Sequence, residues 1–169
     1  MILKRIFQRR PKSEEILYGA IVAAARQPRA YVEWSVPDTV DGRFDMIVLH
    51  MFLVLDRLRS EGEHTAAFRQ SLTDLFFLDM DRSLREMGVG DLTVGKKVRK
   101  MAEAFFGRIT AYSKAMADEA ALQDALQRNV FAEGTSTGAP AMSAWVRAAA
   151  QGLARQQSAD IVQGKVDFP

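Results

Sequence analysis

The acidic pair Asp79 and Asp81 is the best candidate in the sequence for a metal-binding group. Helical enzymes that act on isoprenoid diphosphates hold magnesium with aspartate pairs on facing helices, because Mg²⁺ prefers carboxylate oxygens. Residues two positions apart on a helix point about 200° from one another, and no convincing second acidic motif could face this pair. The favoured interpretation is an exposed row of charges, in which Asp81 lies four residues before Arg85.

The two histidines, His50 and His64, lie in different predicted elements. Neither belongs to a Glu-x-x-His or His-x-x-x-His pattern that would align metal ligands on one helix face. His50 lies in the most apolar stretch, without an acid or nucleophile as its companion, so a hydrogen-bonded core histidine is favoured over a catalytic base. No serine lies in a nucleophile-elbow motif. The sequence therefore predicts no catalytic residue, no metal site and no cofactor.

The glycines of Gly88-Val89-Gly90 precede Lys96 and Lys97, an order that superficially resembles a phosphate-binding loop. Such a loop follows a strand and keeps its lysine at a fixed spacing, and neither condition is met. The glycines are better explained by a corner between two helices. The lysines form either an anion-attracting patch at a helix start or a solvated face, and both interpretations stay open.

The first twelve residues are basic and contain no acid. They lack the long apolar run of a secretory signal or of a membrane span. We predict an amphipathic arm over residues 1–12, followed by one helical domain over residues 13–169. The arm would contact an anionic membrane surface or RNA phosphates through Lys4, Arg5, Arg9 and Arg10, whereas a frayed, solvated terminus is the favoured alternative.

Composition limits the remaining classes of protein. The 169 residues fit one domain, and 48% hydrophobic with 26% charged residues is typical of a globular chain. Because there is no cysteine, disulfides and thiol chemistry are excluded. A net charge of +2 is too small to indicate nucleic-acid binding by itself.

Apolar periodicity predicts an all-α fold of about six helices around a buried central helix. The central helix is predicted over 44–58, where apolar residues occur almost all the way round. A long loop over 29–43 precedes it, pinned by Tyr31 and Trp34, with a short strand near 30–34 as an option. Two long helices then meet at the corner 87–93 as an antiparallel pair. The first helix is predicted over 14–25, with its start at Ser13 and its end before Pro28. In the antiparallel pair, Gly88 is predicted to cap the end of the first helix and Thr93 the start of the second. A fifth helix is predicted from Asp118 to Phe131, then a flexible loop over 134–138 and a sixth helix that begins at Pro140.

Two long motifs cover the end of this loop and the corner between the two long helices. The first runs VPDTVDGRFD from Val36 to Asp45, with Leu49-His50 after it, and the second runs DMDRSLREMGVGDL from Asp79 to Leu92, with Lys96-Lys97-Val98 after it. Together they resemble the ubiquinol-cytochrome c chaperone family of cytochrome bc1 assembly factors. The resemblance covers about residues 18–112, with a weaker echo over 161–168, and the chain length is more similar to bacterial members.

The resemblance implies a chaperone and not an enzyme. Mitochondrial members associate with ribosomes and bind newly made cytochrome b until haem insertion and assembly proceed. For this chain it implies cytochrome b as client, the ribosome as a further partner, no cofactor, and a cytoplasmic location peripheral to the inner membrane. Two other classes stay open, a magnesium-dependent enzyme for isoprenoid diphosphates and an RNA or ribosome adaptor.

We expect the segments 36–44 and 79–97 to lie close together and to form the client-binding surface. The predicted contact residues are Arg43, Phe44, Asp79, Asp81, Arg85, Asp91, Lys96 and Lys97. An alternative role for Arg43 is structural, in which it ties the loop to the aspartates through charge-assisted hydrogen bonds.

Overall fold

The computed structural model describes residues 11–131 and 137–169, and these ranges contain helices and no strand. The predicted basic arm with Lys4, Arg5, Arg9 and Arg10, and most of the predicted loop over 134–138, lie outside the described residues. The helices are α1 Ser13–Ala25, α2 Pro28–Val32, α3 Val40–Arg59, α4 Ala66–Glu86, α5 Asp91–Ala115, α6 Glu119–Val130, α7 Gly138–Arg155 and α8 Ser158–Val162, with a 3-10 turn at Glu63–Thr65. The all-α prediction is confirmed.

The α3 helix is the centre of the molecule. Every residue from Phe44 to Val54 is buried, and α3 packs against α1, α5 and α7. The prediction of a buried central helix is therefore confirmed. The helix begins at Val40, four residues before the predicted start, because the Thr39 side chain accepts a hydrogen bond of 3.1 Å from the Gly42 amide.

The helices α4 and α5 form the predicted antiparallel pair. Gly88 adopts a φ of 84° and ends α4 in the left-handed conformation that glycine favours. The Val89 amide donates to the Leu84 carbonyl at 3.0 Å and closes the turn. The predicted Thr93 cap is wrong, because Gly90 occupies the cap position and α5 begins at Asp91.

The segment before α3 is not the long loop or short strand of the prediction. Pro28 begins a one-turn helix instead of only ending α1, which suits its fixed φ and missing N–H group. The pinning by aromatic residues is confirmed, since Trp34 is buried and the Tyr31 hydroxyl donates to the Ala25 carbonyl at 3.1 Å.

The C-terminal third of the chain contains α6, α7 and α8. The α6 helix packs against α5 and α7, α7 packs against α3, and α8 packs against α1. The predicted helix start at Asp118 is confirmed, and the structure adds that Asp118 is the N-cap of α6, whose side chain accepts a hydrogen bond of 2.8 Å from the Ala121 amide. The α7 helix begins at Gly138, two residues before the predicted Pro140, and meets the backbone of Trp34. After α8, which the sequence analysis missed, Phe168 packs against His50 and Trp145, and the Trp145 indole donates to the Pro169 carbonyl at 2.8 Å.

Candidate functional site

A groove of about 630 Å³ lies between the start of α3, the end of α4 and the middle of α5. We call it the α3–α4–α5 groove. It brings together parts of both sequence motifs, as predicted for the segments 36–44 and 79–97. Its lining residues are Val40, Asp41, Phe44, Asp45, Leu84, Met87, Val89, Lys97, Lys100, Met101, Ala104 and Arg108.

The groove has an apolar floor that becomes more exposed towards its mouth. Phe44 and Leu84 are buried at its base, and Met101 is half-buried. Val40 and Met87 are 58% and 52% exposed, although both are large apolar side chains. Methionine adapts its shape to different apolar partners, so this surface is suited to binding an apolar segment of variable sequence.

One wall of the groove is basic. Lys97 and Lys100 on α5 line it, and Lys96 lies beside them on the exposed side of the helix. None of these three lysines forms an ion pair with any residue of the described chain. Their charges are therefore available to a ligand.

A buried ion pair lies at the deep end of the groove. One Arg108 guanidinium nitrogen is 2.8 Å from a carboxylate oxygen of Asp45, and the same guanidinium lies 5.6 Å from the centre of the Phe44 ring. Burial raises the pKa of Asp45 to about 7, against the attraction of Arg108 and with a small further contribution from Asp41. The Tyr112 hydroxyl is buried and has no hydrogen-bond partner among the described residues.

Several predicted contact residues lie in or beside the groove. Phe44 and Lys97 line it, and Lys96 is exposed next to it. Arg85 pairs with Asp81 at 2.6 Å and with Asp91 across the corner, so its positive charge is shared by two carboxylates and the group of three has a net charge of −1. They orient the corner, and the Arg85 charge is not free for a ligand.

Asp79 and Arg43 do not join this group. Asp79 accepts a hydrogen bond of 2.8 Å from the Tyr18 hydroxyl on α1, and burial, followed by this bond, raises the pKa of Tyr18. Arg43 donates a hydrogen bond to Asp38 at 2.7 Å. The alternative in which Arg43 ties the loop to the aspartates of the second motif is therefore wrong about the partner residue. The pair of Asp81 with Arg85 confirms that part of the exposed charge row, whereas Asp79 is half-buried and binds Tyr18, a contact that the charge row did not include.

His50 is a core residue, which confirms the favoured interpretation. It is 3% exposed, and its Nδ1 donates to the Met46 carbonyl at 2.8 Å. Burial lowers its pKa to about 4, so the ring is neutral at physiological pH.

Sequence reasoning missed the residues that set the groove's polarity. Asp45 is an acid inside an apolar helix, which is a usable signal, because a buried carboxylate needs a partner. Its partner Arg108 carries no such signal, since it is one of several basic residues on α5. Lys100 and Met101 were also not singled out as site residues. Separately, no helix in the described ranges combines the length and apolar character required to cross a bilayer.

Comparison with known proteins identifies relatives over most of the chain. Residues 32–168 match the family model described as ubiquinol-cytochrome C chaperone. The ubiquinol-cytochrome-c reductase complex assembly factor 1 of Xenopus laevis is 25% identical over 116 residues, which cover 68% of this chain and 58% of the frog protein. The human protein of the same name is 24% identical over 116 residues, or 68% of this chain and 39% of the human protein. The match thus spans only part of these relatives.

A solved structure shares the fold. The crystal structure of the Cbp3 homolog from Brucella abortus superimposes with a TM-score of 0.82 at 38% sequence identity. The match covers 93% of this chain and 88% of that one.

Proposed function

Because the chain belongs to the ubiquinol-cytochrome c chaperone family, we propose that it is an assembly factor of ubiquinol-cytochrome c reductase, the cytochrome bc1 complex. We further propose that its client is newly made cytochrome b. The names of the frog and human relatives support the assembly role. The match covers part of those proteins, so the proposal concerns the helical domain that they share with this chain.

The observation that carries the proposal is the α3–α4–α5 groove. Its floor is apolar, and Met87 and Met101 supply adaptable walls to a volume of about 630 Å³. An amphipathic or apolar helix binds such a groove by inserting side chains at three- and four-residue spacing. A membrane protein that has just been made presents apolar helices of this kind, and they need cover until they are assembled.

The basic wall supplies a second element of recognition. Lys97 and Lys100 would attract acidic residues that flank the bound client segment, because neither lysine forms an ion pair within residues 11–131 and 137–169. Lys96, next to them, would extend the same field. Of the predicted contact set, Phe44, Lys96 and Lys97 are thus the members that we retain in the client site, whereas Arg85, Asp81 and Asp91 hold the corner.

The groove supports binding and not catalysis. Its buried carboxylate, Asp45, is paired with Arg108, and the described residues that line the groove include no serine, threonine or histidine to act as nucleophile or base. The alternative as an isoprenoid-diphosphate enzyme gains no support, because Asp79 and Asp81 bind different partners. Contact with the ribosome stays a prediction that rests on the family resemblance alone.

Deletion of the gene in its own host tests the assembly role. We expect selective loss of cytochrome b from reduced-minus-oxidised difference spectra, with the other respiratory complexes intact. Reintroducing the wild-type gene should restore the signal, whereas a double variant with Val40→Asp and Met87→Asp should not. The control is Val32→Asp, since Val32 is 79% exposed and lies outside the groove. Normal cytochrome b in the deletion strain would overturn the assembly role.

A photo-cross-linking residue tests the location of the client site. Placed at Met87, it should capture cytochrome b during synthesis, because this side chain is half exposed in the mouth of the groove. The same residue placed at Val32 should capture little. Equal capture at both positions, or capture at Val32 alone, would contradict the groove as the client site.

A further inference from the structure

The α4–α5 corner, which we define as residues 87–100, carries the most exposed large apolar side chain in the described part of the protein. Leu92 is 95% exposed, and Met87, on the other side of the turn, is 52% exposed. Val89 between them is half-buried. Leu92 therefore protrudes at the end of the antiparallel helix pair and is not part of a packed surface.

Three lysines follow this leucine along α5. Lys96 follows Leu92 by four residues and lies on the same face of α5, and Lys100 follows by four more. Lys97 lies next to them on the groove side. Arg99 pairs with Glu103 at 3.3 Å, and Arg85 pairs with both Asp81 and Asp91, which leaves one negative charge on that group of three. Residues 87–100 contain four cationic side chains and one acid, so the corner itself has a net charge of +3.

The backbone of the corner fixes these side chains in position. The Gly88 amide donates to the Arg85 carbonyl at 2.9 Å, and the Thr93 and Val94 amides both donate to the Gly90 carbonyl. Leu92 is held in the first turn of α5 by these bonds. Binding of the corner to a surface therefore loses little conformational entropy, because the backbone is already ordered.

An apolar tip followed along the helix by three unpaired lysines fits the surface of an anionic bilayer. At such a surface the apolar side chain enters the boundary of the acyl chains, and the ammonium groups remain among the lipid headgroups. Each lysine near an anionic surface contributes about a fivefold gain in binding. A protein partner would instead need a contiguous apolar patch that buries on the order of 800 Å² per side, and one protruding leucine offers much less.

We propose that the protein docks on anionic lipid bilayers through the α4–α5 corner, with Leu92 inserted and Lys96, Lys97 and Lys100 at the headgroups. Because Met87, Val89, Lys97 and Lys100 also line the α3–α4–α5 groove, this orientation places the mouth of the groove at the bilayer. The inference extends the proposed function, yet lipid docking is measured without any client. The two can therefore fail separately.

Single-cysteine labelling tests the orientation directly, since the natural chain contains no cysteine. Leu92→Cys, carrying an environment-sensitive fluorophore, should shift to shorter emission wavelength with vesicles of equal parts phosphatidylglycerol and phosphatidylcholine. Lys114→Cys is the matched control, because Lys114 is exposed near the other end of the same helix, about 30 Å away. A shift at 114 without one at 92 would overturn the proposed orientation.

Vesicle binding by substituted full-length chains tests the residues. Leu92→Ser should weaken binding about tenfold, and Lys96→Gln with Lys100→Gln about 25-fold. Leu78→Ser and Lys114→Gln, which change an exposed leucine and an exposed lysine outside the corner, should leave binding unchanged. Vesicles of phosphatidylcholine alone should bind weakly to every chain.

The basic residues 4, 5, 9 and 10 could also bind anionic lipid, so the corner variants are repeated with all four replaced by glutamine. The losses caused by the corner variants should persist in this background. Binding that depends only on the four N-terminal charges, or corner variants that bind like the wild type, would overturn the proposal. Normal vesicle docking by the wild-type chain, together with normal cytochrome b in the deletion strain, would leave the corner assigned and overturn only the assembly role.

Discussion

His50 and Asp45 are both buried on α3, and burial shifts their pKa values in opposite directions. The pKa of His50 falls to about 4 and that of Asp45 rises to about 7. Between about pH 4 and pH 6.5 the unfolded chain protonates the histidine and the folded chain does not, so this group makes stability rise with pH. Over the same range the folded chain keeps the Asp45 proton that the unfolded chain loses, so Asp45 makes stability fall with pH.

Single substitutions should separate these two effects. Between pH 4.5 and pH 6.5, the free energy of unfolding of Asp45→Asn should rise more steeply with pH than that of the wild type. The two slopes should differ by up to about 1.4 kcal/mol per pH unit. His50→Gln should change the slope in the opposite direction by a similar amount. Urea unfolding followed by circular dichroism at both pH values measures the slopes.

Exposed residues of the same types provide the controls. His64→Gln and Asp74→Asn are the matched control variants, because both side chains are exposed. If Asp45→Asn and Asp74→Asn had the same slope, the pKa of Asp45 would not be raised in the folded protein.

At the residue scale, sequence reasoning succeeded where the partner is local. The helix start at Asp118 and the Gly88 turn each depend on groups within a few residues, and both were predicted. The bond from Tyr18 to Asp79 joins residues 61 positions apart, and neither side chain indicates the other. The structural alternative for Arg43 likewise named the distant aspartates, whereas its partner is the nearer acid Asp38.

At the scale of the element, the start of α7 depends on a glycine. A Cβ atom at Gly138 would lie 1.8 Å from the carbonyl oxygen of Trp34, so two backbones approach there more closely than any other residue permits. Gly152, on the same helix, has no such neighbour within 4 Å. The helix thus contains one glycine that packing requires and one that it does not.

Substitution of these two glycines by alanine should have opposite effects on stability. Gly138→Ala should lower the free energy of unfolding by about 1 to 3 kcal/mol, because α7 must move away from Trp34. Gly152→Ala should raise it by about 0.5 to 1 kcal/mol, since alanine favours a helix interior. Thermal melts monitored by circular dichroism measure both. Equal melting temperatures for the two variants would contradict the close approach.

Element boundaries were predictable only where apolar periodicity is long. The α1, α4, α5 and α6 patterns extend over several turns, and they were found. The helices α2 and α8 have five residues each, too few for a period of 3.6 to appear. The early start of α3 was missed because Val40 to Arg43 belong to the helix by virtue of a cap and carry no apolar pattern.

At the scale of the whole molecule, the C-terminal segment holds distant elements together. Phe168 lies 5.0 Å from the ring centre of His50 on α3 and 6.5 Å from that of Trp145 on α7. The Gln156 side chain bonds to the backbone of Asp167 through both its amide nitrogen and its oxygen, which keeps the segment in place. These contacts shield His50 from water.

Loss of the Phe168 ring should therefore destabilise the whole fold. Phe168→Ala should lower the free energy of unfolding by about 2 kcal/mol, less than a fully buried phenylalanine because the side chain is partly exposed. Lys165→Ala, a neighbouring change that removes only an exposed ion pair with Asp160, should cost less than about 0.5 kcal/mol. Chemical denaturation provides the measurement, and equal losses would show that the ring does not support the core.

The general architecture followed from the sequence because α3 is apolar almost all the way round and can only be central. The α3–α4–α5 groove did not follow in the same detail. Its walls come from three helices, and the space between them depends on how α3 meets the corner of α4 and α5. The motifs located the region, whereas the depth, the basic wall and the pair of Asp45 with Arg108 required the folded arrangement.

The two tryptophans of the chain, Trp34 and Trp145, lie 5.3 Å apart where α7 meets the segment before α3. All of the indole fluorescence consequently originates at one junction. Its emission spectrum is a local optical reporter, sensitive to separation of these segments before the helices themselves melt. If the fluorescence transition comes before the far-ultraviolet circular dichroism transition, the two segments separate at this junction before the helices unfold.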